Sequence, residues 1–389
     1  MRLAHFGTFD ISNYGDLLFP LIAEHHLGDL FDHIVHISPI GGKVYGDVPA
    51  SIAVEDALTQ EYDAVMIGGG NLINPRPTTL PAYTGKARVA YPQLWASAAR
   101  LAAEQAIPLA LNAPGIPRKF GWATRGFLRG LADTASYFSV RDEYSADIAR
   151  RAGATDVHVA PDSALAIPRV LGDIVERPSG RIVVHLNERY IGLEENGIAA
   201  LLDDIARTSG DRICLLAIGP CHGDDIVAEN IAGLMRTDPI VLSTPHAAAE
   251  VAGEISAASG YIGSSMHGYV TAVAYGVPAL LVADGKAQHK FAGLLSHVGG
   301  ERDLRTSWAD AREEVTDGNW PGSADTRDLK LAETRLTAHW NQVRAALTSQ
   351  ATVPRRLVQR EAAPSMVALG NAVDSGIKPM AHRLLRRFA

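Results

Sequence analysis

Residues 261–285, with the sequence YIGSSMHGYVTAVAYGVPALLVADG, contain two short apolar runs on either side of a stretch with helical spacing. A strand, a helix and a second strand in this order form the unit from which parallel sheets are built. His267 lies where the first run ends. Ligands bind beyond the carboxyl ends of the strands in open parallel sheets, so this histidine is a candidate site residue.

The same unit recurs in two series along the chain. Candidate strands of the first series lie at 2–6, 33–38, 63–69, 108–113 and 137–141. Candidate strands of the second series lie at 181–187, 212–219, 239–243, 261–265 and 278–284. Stretches with helical periodicity separate them, which predicts an α/β protein with two Rossmann-like domains, each built on a parallel sheet.

Prolines and glycines interrupt the periodicity at residues 167–180 and mark the domain boundary. We therefore expect an N-terminal domain at 1–172, a C-terminal domain at 173–350 and a tail at 351–389. The tail carries seven Lys or Arg against two Asp or Glu. Basic residues beside leucines are compatible with peripheral contact to an anionic membrane surface. The alternative, which we prefer, is a C-terminal helix that packs back on the body.

The composition is that of a globular protein, with 47% hydrophobic and 20% charged residues. A net charge of −7 argues against nucleic-acid binding, because no basic surplus is present to neutralise phosphates. The N-terminus has no apolar leader and no run is long enough to span a membrane, so we expect a cytoplasmic protein. Only Cys221–His222 suggests a metal, and no further Cys or His has ligand spacing, so we expect none. A homo-oligomer is compatible with the sequence, which does not specify one.

Polar residues follow two strands of the first series. Asn13 and Asp16 come after the first strand, where Asp16 is compatible with a helix cap or with a carboxylate that faces a cleft. Gly69, Gly70 and Asn71 directly follow a buried strand. Glycines there allow close approach of an anion to backbone N–H groups, although a tight turn explains them equally well.

Arg141 ends the last strand of the first series. Its planar guanidinium suits a carboxylate or a phosphate, and the alternative is a surface pair with Asp142. Asp162 ends another predicted strand, in VAPDSAL, and there a helix cap is the preferred interpretation.

At the opening corner, Ser264 or Ser265 is expected to cap the helix. His267 and Gly268 then lie in its first turn, beside unpaired N–H groups and the positive end of the helix dipole. Such a corner binds phosphate, and a histidine there binds an anion or transfers a proton. The alternative is a structural histidine. Lys286 and Lys290 follow the next strand and are candidates for completing an anion site.

These motifs, taken in order, resemble the polysaccharide pyruvyltransferase family. The resemblance rests on NYGD, GGGNL, NAPGIP, SVRDEYSADIARRAG, APDSAL and GSSMHGYVTAVAYGVP, and it covers roughly residues 1–300. It implies a fold like that of GT-B glycosyltransferases with the active site in the interdomain cleft. Many members have an arginine two positions before the histidine, where this chain has Ser265.

The resemblance also implies an activity, namely transfer of the enolpyruvyl group of phosphoenolpyruvate to a sugar to form a pyruvate ketal. Arg141, His267 and Lys290, or else Lys286, would bind phosphoenolpyruvate in the C-terminal part of the cleft. The N-terminal domain would hold the sugar or lipid-linked oligosaccharide acceptor, and no cofactor is implied. From its position, Asp16 is expected to assist the acceptor hydroxyl.

Two other functions remain open at this point. A nucleotide-sugar glycosyltransferase would share the architecture, since a histidine at a helix start serves diphosphates as well. A non-catalytic binding protein of the same fold would be favoured if His267 and Arg141 were buried and paired internally.

Overall fold

The computed structural model describes residues 1–172, 180–187, 195–283, 288–318, 320, 326–350 and 366–375. Two parallel sheets with helices packed on them make up most of this structure. The predicted α/β class with parallel sheets is confirmed.

The first sheet has five strands in the order β3-β2-β1-β4-β5. The strands are β1 (Arg2–Phe6), β2 (His33–Ser38), β3 (Ser51–Ala53), β4 (Ala64–Ile67) and β5 (Leu109–Leu111). Every residue of β4 is buried, as expected for a strand covered on both faces. β4 ends at Ile67, two residues before the predicted limit, because the glycine turn begins there.

The second sheet has six strands in the order β10-β9-β8-β11-β12-β13. The strands are β8 (Arg181–His185), β9 (Arg212–Leu216), β10 (Ile240–Leu242), β11 (Gly260–Gly263), β12 (Ala279–Val282) and β13 (Leu304–Arg305). Gly263 is opposite His185 on one side and Leu281 on the other. This register brings the ends of β8 and β11 to the same level.

The predicted strand at 137–141 is shortened to β6 (Ser139–Val140), which pairs in parallel with β7 (His158–Val159). It meets the first sheet at one position, where Tyr137 forms a parallel bridge with Ala110 of β5. β3 and β13 were not predicted, because strands of two or three residues are too short to show alternation. β7 is the strand that was predicted to end before Asp162.

Thirteen named helices surround the sheets in the described residues. They are α1 (Tyr14–Leu27), α2 (Val54–Ala57), α3 (Ala90–Gln105), α4 (Arg125–Thr134), α5 (Glu143–Ala152), α6 (Ile167–Leu171), α7 (Glu195–Ser209), α8 (Asp224–Leu234), α9 (Ala248–Ala257), α10 (Met266–Ala274), α11 (Gln288–Val298), α12 (Trp308–Thr316) and α13 (Thr326–Leu347). None of the described helices is long and apolar enough to cross a bilayer.

The two sheet-containing parts meet through α1 and α10. The Tyr14 and Thr271 hydroxyls are 2.9 Å apart across this contact, and both residues are fully buried. Apolar residues from both parts belong to one continuous core. The loops at the start of α1 and α10 are therefore held in fixed relative positions.

Two C-terminal elements return to the first sheet-containing part. α13 packs against β4 and β5. Residues 366–375 form a further helix, in which Val367 is fully buried in the core of the first part. This packing agrees with the preferred interpretation of the tail, while residues 351–365 and 376–389 lie outside the described residues.

Candidate functional site

A cavity of about 270 Å³ lies at the carboxyl ends of strands from both sheets. Residues after β1, β4 and β6 line one wall, and residues at the ends of β8, β9 and β11 line the other. Eight predicted site residues line it: Asn13, Asp16, Gly70, Asn71, Arg141, Ser264, Ser265 and His267. Thus residues that are far apart in sequence converge as predicted.

His267 lies in the first turn of α10. Ser265 is the N-cap, and its Oγ accepts a hydrogen bond from the Gly268 N–H at 3.2 Å. The imidazole is 9% exposed, with its Nε2 3.7 Å from Asp162 Oδ2. Nε2 is buried and has no hydrogen-bond partner within the described residues. The carboxylate of Asp162 is thus near Nε2 at an ion-pair distance, without a hydrogen bond between them.

Asp162 has two roles. Its Oδ1 accepts a hydrogen bond from the Ala164 N–H at 3.0 Å, which is the predicted cap. Its Oδ2 lies between His267 Nε2 and Arg141 Nη1, which is 3.8 Å away. Burial would raise the pKa of Asp162, but His267 and Arg141 outweigh burial and lower it. Asp162 is thus an ionised carboxylate that orients both side chains.

Arg141 is 5% exposed, so the alternative of a surface pair with Asp142 is wrong. Its Nη2 donates a hydrogen bond to Asn71 Oδ1 at 2.7 Å, and its Nε is 3.5 Å from Asp142 Oδ2. Nη1 is buried without a hydrogen-bond partner in the described structure. His297 of α11 donates from Nε2 to the Arg141 carbonyl at 3.1 Å, which fixes the backbone.

Asp16 faces the same cavity from the first turn of α1. Asn13 Nδ2 donates to its Oδ2 at 2.8 Å. Gly70 has a φ of +82°, and a Cβ at this position would lie 2.8 Å from Asp16 Oδ1. Burial raises the pKa of Asp16, and the nearby His267 only partly opposes this shift. A carboxyl group with a raised pKa is suited to proton transfer.

Three predicted residues are not seen in the cavity wall. Gly69 and Gly268 do not belong to the lining within the described part of the chain. A Cβ on Gly69 would meet the Phe19 ring, and one on Gly268 would meet the Tyr261 hydroxyl, so both glycines are needed for packing instead. Lys290 belongs to α11, but its side chain lies outside the described residues, as does all of Lys286.

Comparison with known families identifies the chain at this point. A model described as polysaccharide pyruvyl transferase matches residues 13–285, which include the cavity residues named above. The chain belongs to the polysaccharide pyruvyl transferase family. It is therefore a transferase.

Solved structures with a similar fold are sugar-nucleotide enzymes. The UDP-N-acetylglucosamine 2-epimerase of Neisseria meningitidis has a TM-score of 0.54 at 12% identity, over 89% of this chain and 99% of that one. The corresponding enzyme of Rickettsia bellii has a TM-score of 0.54 at 10% identity, over 89% of this chain and 96% of that one. These similarities show a GT-B-like fold. No curated protein matches the sequence significantly.

The wall of this pyruvyl transferase cavity also contains residues that the sequence analysis missed. His185 is the last residue of β8, Asn187 lies two residues further on, and Asp224 begins α8. His185 Nε2 and Asp224 Oδ2 are 2.7 Å apart, and both side chains are buried. The signal available in sequence was the polar pair that ends the apolar run RIVVHLN.

Proposed function

We propose that this pyruvyl transferase moves the enolpyruvyl group of phosphoenolpyruvate onto a sugar of a polysaccharide or its precursor and closes a pyruvate ketal. One observation carries the proposal. Arg141 Nη1, His267 Nε2 and Ser264 Oγ are buried at the cavity and lack hydrogen-bond partners in the described chain. Buried donors without partners are costly, so a bound ligand is expected to satisfy them.

The charges around these atoms suit an anionic donor. Arg141 offers a guanidinium whose free Nη1 can donate to a carboxylate or phosphate oxygen. His267 and Ser264 lie at the N-terminal end of α10, where the helix dipole favours negative charge. We assign Lys290 of α11 as a third cationic contact. Its helix packs on the Arg141 corner through Gly293 and His297.

The reaction needs a general acid and a general base. A sugar hydroxyl forms an O–C2 bond to phosphoenolpyruvate, the double-bond electrons take up a proton at C3, and the hydroxyl proton is removed. A second hydroxyl then forms another O–C2 bond while the C2–O bond to phosphate breaks, and the proton of this hydroxyl leaves with the phosphate. We assign His267 as the general acid that delivers the proton to C3. We assign Asp16, on the opposite wall, as the general base that removes the proton from one acceptor hydroxyl.

Calorimetric titration with phosphoenolpyruvate, compared with UDP-, GDP- and CMP-sugars, tests the proposal. We expect wild type to bind phosphoenolpyruvate. Arg141→Ala and His267→Ala should each weaken binding, Arg141→Ala by at least about thirty-fold, since truncating one member of a buried charge pair costs several kcal/mol. Arg141→Lys keeps the charge and checks that folding is intact. Arg212→Ala removes an exposed arginine far from the cavity and should bind normally.

Binding of a nucleotide sugar alone would contradict the proposal. That result would favour the other function open to this fold, a nucleotide-sugar glycosyltransferase.

A further inference from the structure

A histidine–aspartate pair occupies the wall of the cavity opposite Asp16. His185, the last residue of β8, is 2% exposed and lines the cavity. Its Nε2 is 2.7 Å from Asp224 Oδ2. Neither residue takes part in the roles assigned above to His267, Arg141 and Asp16.

The contacts of Asp224 determine which nitrogen of His185 carries the proton. Asp224 Oδ1 accepts a hydrogen bond from Asn187 Nδ2 at 2.7 Å, and Oδ2 accepts one from the Gly219 N–H at 2.9 Å. A carboxylate that already accepts two hydrogen bonds requires a donor from the imidazole as well. Nε2 therefore donates to Asp224, and the lone pair of the neutral ring is on Nδ1.

His185 Nδ1 is buried and has no hydrogen-bond partner within the described residues. The Ser264 N–H donates a hydrogen bond to the His185 carbonyl at 3.3 Å. The Oγ of Ser264 is also buried without a hydrogen-bond partner in the described chain. A buried lone pair that lacks a partner in a polar cavity indicates that a ligand with a hydroxyl group completes it.

The two walls are joined close to this pair. The Tyr14 N–H donates to the Ile218 carbonyl at 2.8 Å, directly before Gly219, which binds Asp224. On the other side of this contact, Asn13 binds Asp16. Asp16 and His185 are thus each held by a loop at the same junction between the two parts of the molecule.

We propose that His185 is a second catalytic base, which removes the proton from one acceptor hydroxyl through Nδ1, with Asp224 as its positioning residue. This inference rests on the proposed function. A cyclic ketal joins two hydroxyls of one sugar to C2, and both hydroxyls lose a proton during the reaction. One proton is balanced by the proton gained at C3, and the other leaves with phosphate. Two bases on opposite walls serve the two hydroxyls without a large movement of the sugar.

The test uses the full chain, phosphoenolpyruvate and a panel of methyl hexopyranosides as acceptors. His185→Asn removes the base, and Asp224→Asn keeps the size of its side chain but favours the opposite imidazole tautomer. We expect each to lower the kcat of phosphate release at least about 100-fold. The Kd of phosphoenolpyruvate should stay within about twofold of wild type.

His246→Asn changes an exposed histidine outside the cavity and provides the matched control. A kcat within threefold of wild type in both cavity variants would overturn the inference. So would a parallel loss of phosphoenolpyruvate affinity, which would make His185 a donor ligand. Failure of the proposed function is distinguishable, because wild type itself would then neither bind phosphoenolpyruvate nor release phosphate.

Discussion

Gly15, in the first turn of α1, leaves the space that the ring of His267 occupies. A Cβ at this position would lie 1.9 Å from His267 Nδ1. The ring also meets the edge of Phe19 at a centroid distance of 5.8 Å, which limits its movement to the other side. The glycine of the NYGD motif is therefore explained by a residue 252 positions later in the chain.

Gly15→Ala should displace His267 and lower the kcat of the proposed pyruvyl transfer about 100-fold, because small misplacements of a reacting group cost about that factor. Its effect on stability should be smaller, about 1–3 kcal/mol. Steady-state phosphate release and thermal unfolding measure the two effects. Gly130→Ala, in α4, is the control. The added Cβ would have no atom within 4 Å, so this substitution should raise the stability slightly. Full activity of Gly15→Ala would show that the position of His267 is unimportant.

At the scale of single residues, eight of the predicted site residues line the cavity, together with residues that were not predicted. Residues at strand ends, such as Asp16 and Arg141, were identified because the carboxyl ends of parallel strands meet at one edge. Asp162 was assigned only its capping role, because its second oxygen faces side chains from distant segments. His185 was missed because its partner, Asp224, lies 39 residues later.

At the scale of elements, α13 is attached to the first sheet through a buried histidine. His339 Nε2 is 3.0 Å from Asn112 Oδ1, and its Nδ1 is 3.0 Å from the Tyr137 hydroxyl. Asn112 Oδ1 also accepts a hydrogen bond from Ser163 Oγ. Burial, with smaller contributions from His26 and His158, lowers the pKa of His339 to about 3. The ring is neutral where it joins the helix to the sheet.

This contact predicts acid sensitivity. The pKa of His339 is 6.5 when unfolded and about 3 when folded, so the unfolded state binds more protons between these values. The contribution of neutral His339 to the free energy of unfolding is complete above about pH 6.5. It decreases as the pH falls, and about 2 kcal/mol is lost near pH 5.

His339→Gln should therefore be less stable than wild type at pH 8, because the substitution removes the hydrogen bond to Tyr137. The difference should shrink towards pH 5, because glutamine does not titrate. Denaturant unfolding at a series of pH values measures this, with His246→Gln as the exposed counterpart. A difference that stays constant with pH would rule out this role for His339.

Helices and central strands were predicted well because their periodic patterns run over many residues. β1 and β2 have the predicted limits, and α13 lies within two residues of the stretch 324–348 that has helical periodicity in the sequence. What periodicity could not show is where α13 packs. α13 packs against the first sheet, although it follows the strands of the second sheet in the chain, and this placement depends on contacts such as that of His339 with Asn112.

At the scale of the whole molecule, the helix at 366–375 is anchored to the start of α4. Asp374 Oδ1 accepts a hydrogen bond from the Ala123 N–H at 2.8 Å, and Oδ2 accepts one from Thr124 Oγ1 at 2.7 Å. Together with the buried Val367, these contacts connect the end of the chain to the first sheet-containing part.

Asp374→Ala should lower stability by about 1–3 kcal/mol, since two hydrogen bonds to a carboxylate are lost. Its kcat should be unchanged, because Asp374 lies outside the cavity lining. Thermal unfolding and phosphate release measure the two effects, and Asp317→Ala, at the C-terminal end of α12, is a surface control. Unchanged stability of Asp374→Ala would contradict the anchoring. A separate experiment tests the membrane interpretation of the tail. This interpretation would be favoured if the full chain bound vesicles and deletion of residues 351–389 abolished the binding.

The sequence by itself determined the α/β class, the two series of parallel strands, the family and the corners that carry His267, Arg141 and Asp16. It could do so because periodicity and strand-end chemistry are local properties. The division at residues 1–172 and 173–350 remains a prediction. Only the tertiary structure decided that Asp162 lies between two site residues and that His185 lines the same cavity as Asp16. It also decided that α13 returns to the first sheet and that the helix at 366–375 packs on the first sheet-containing part. These facts depend on contacts between distant segments, which a single sequence does not encode in any local pattern.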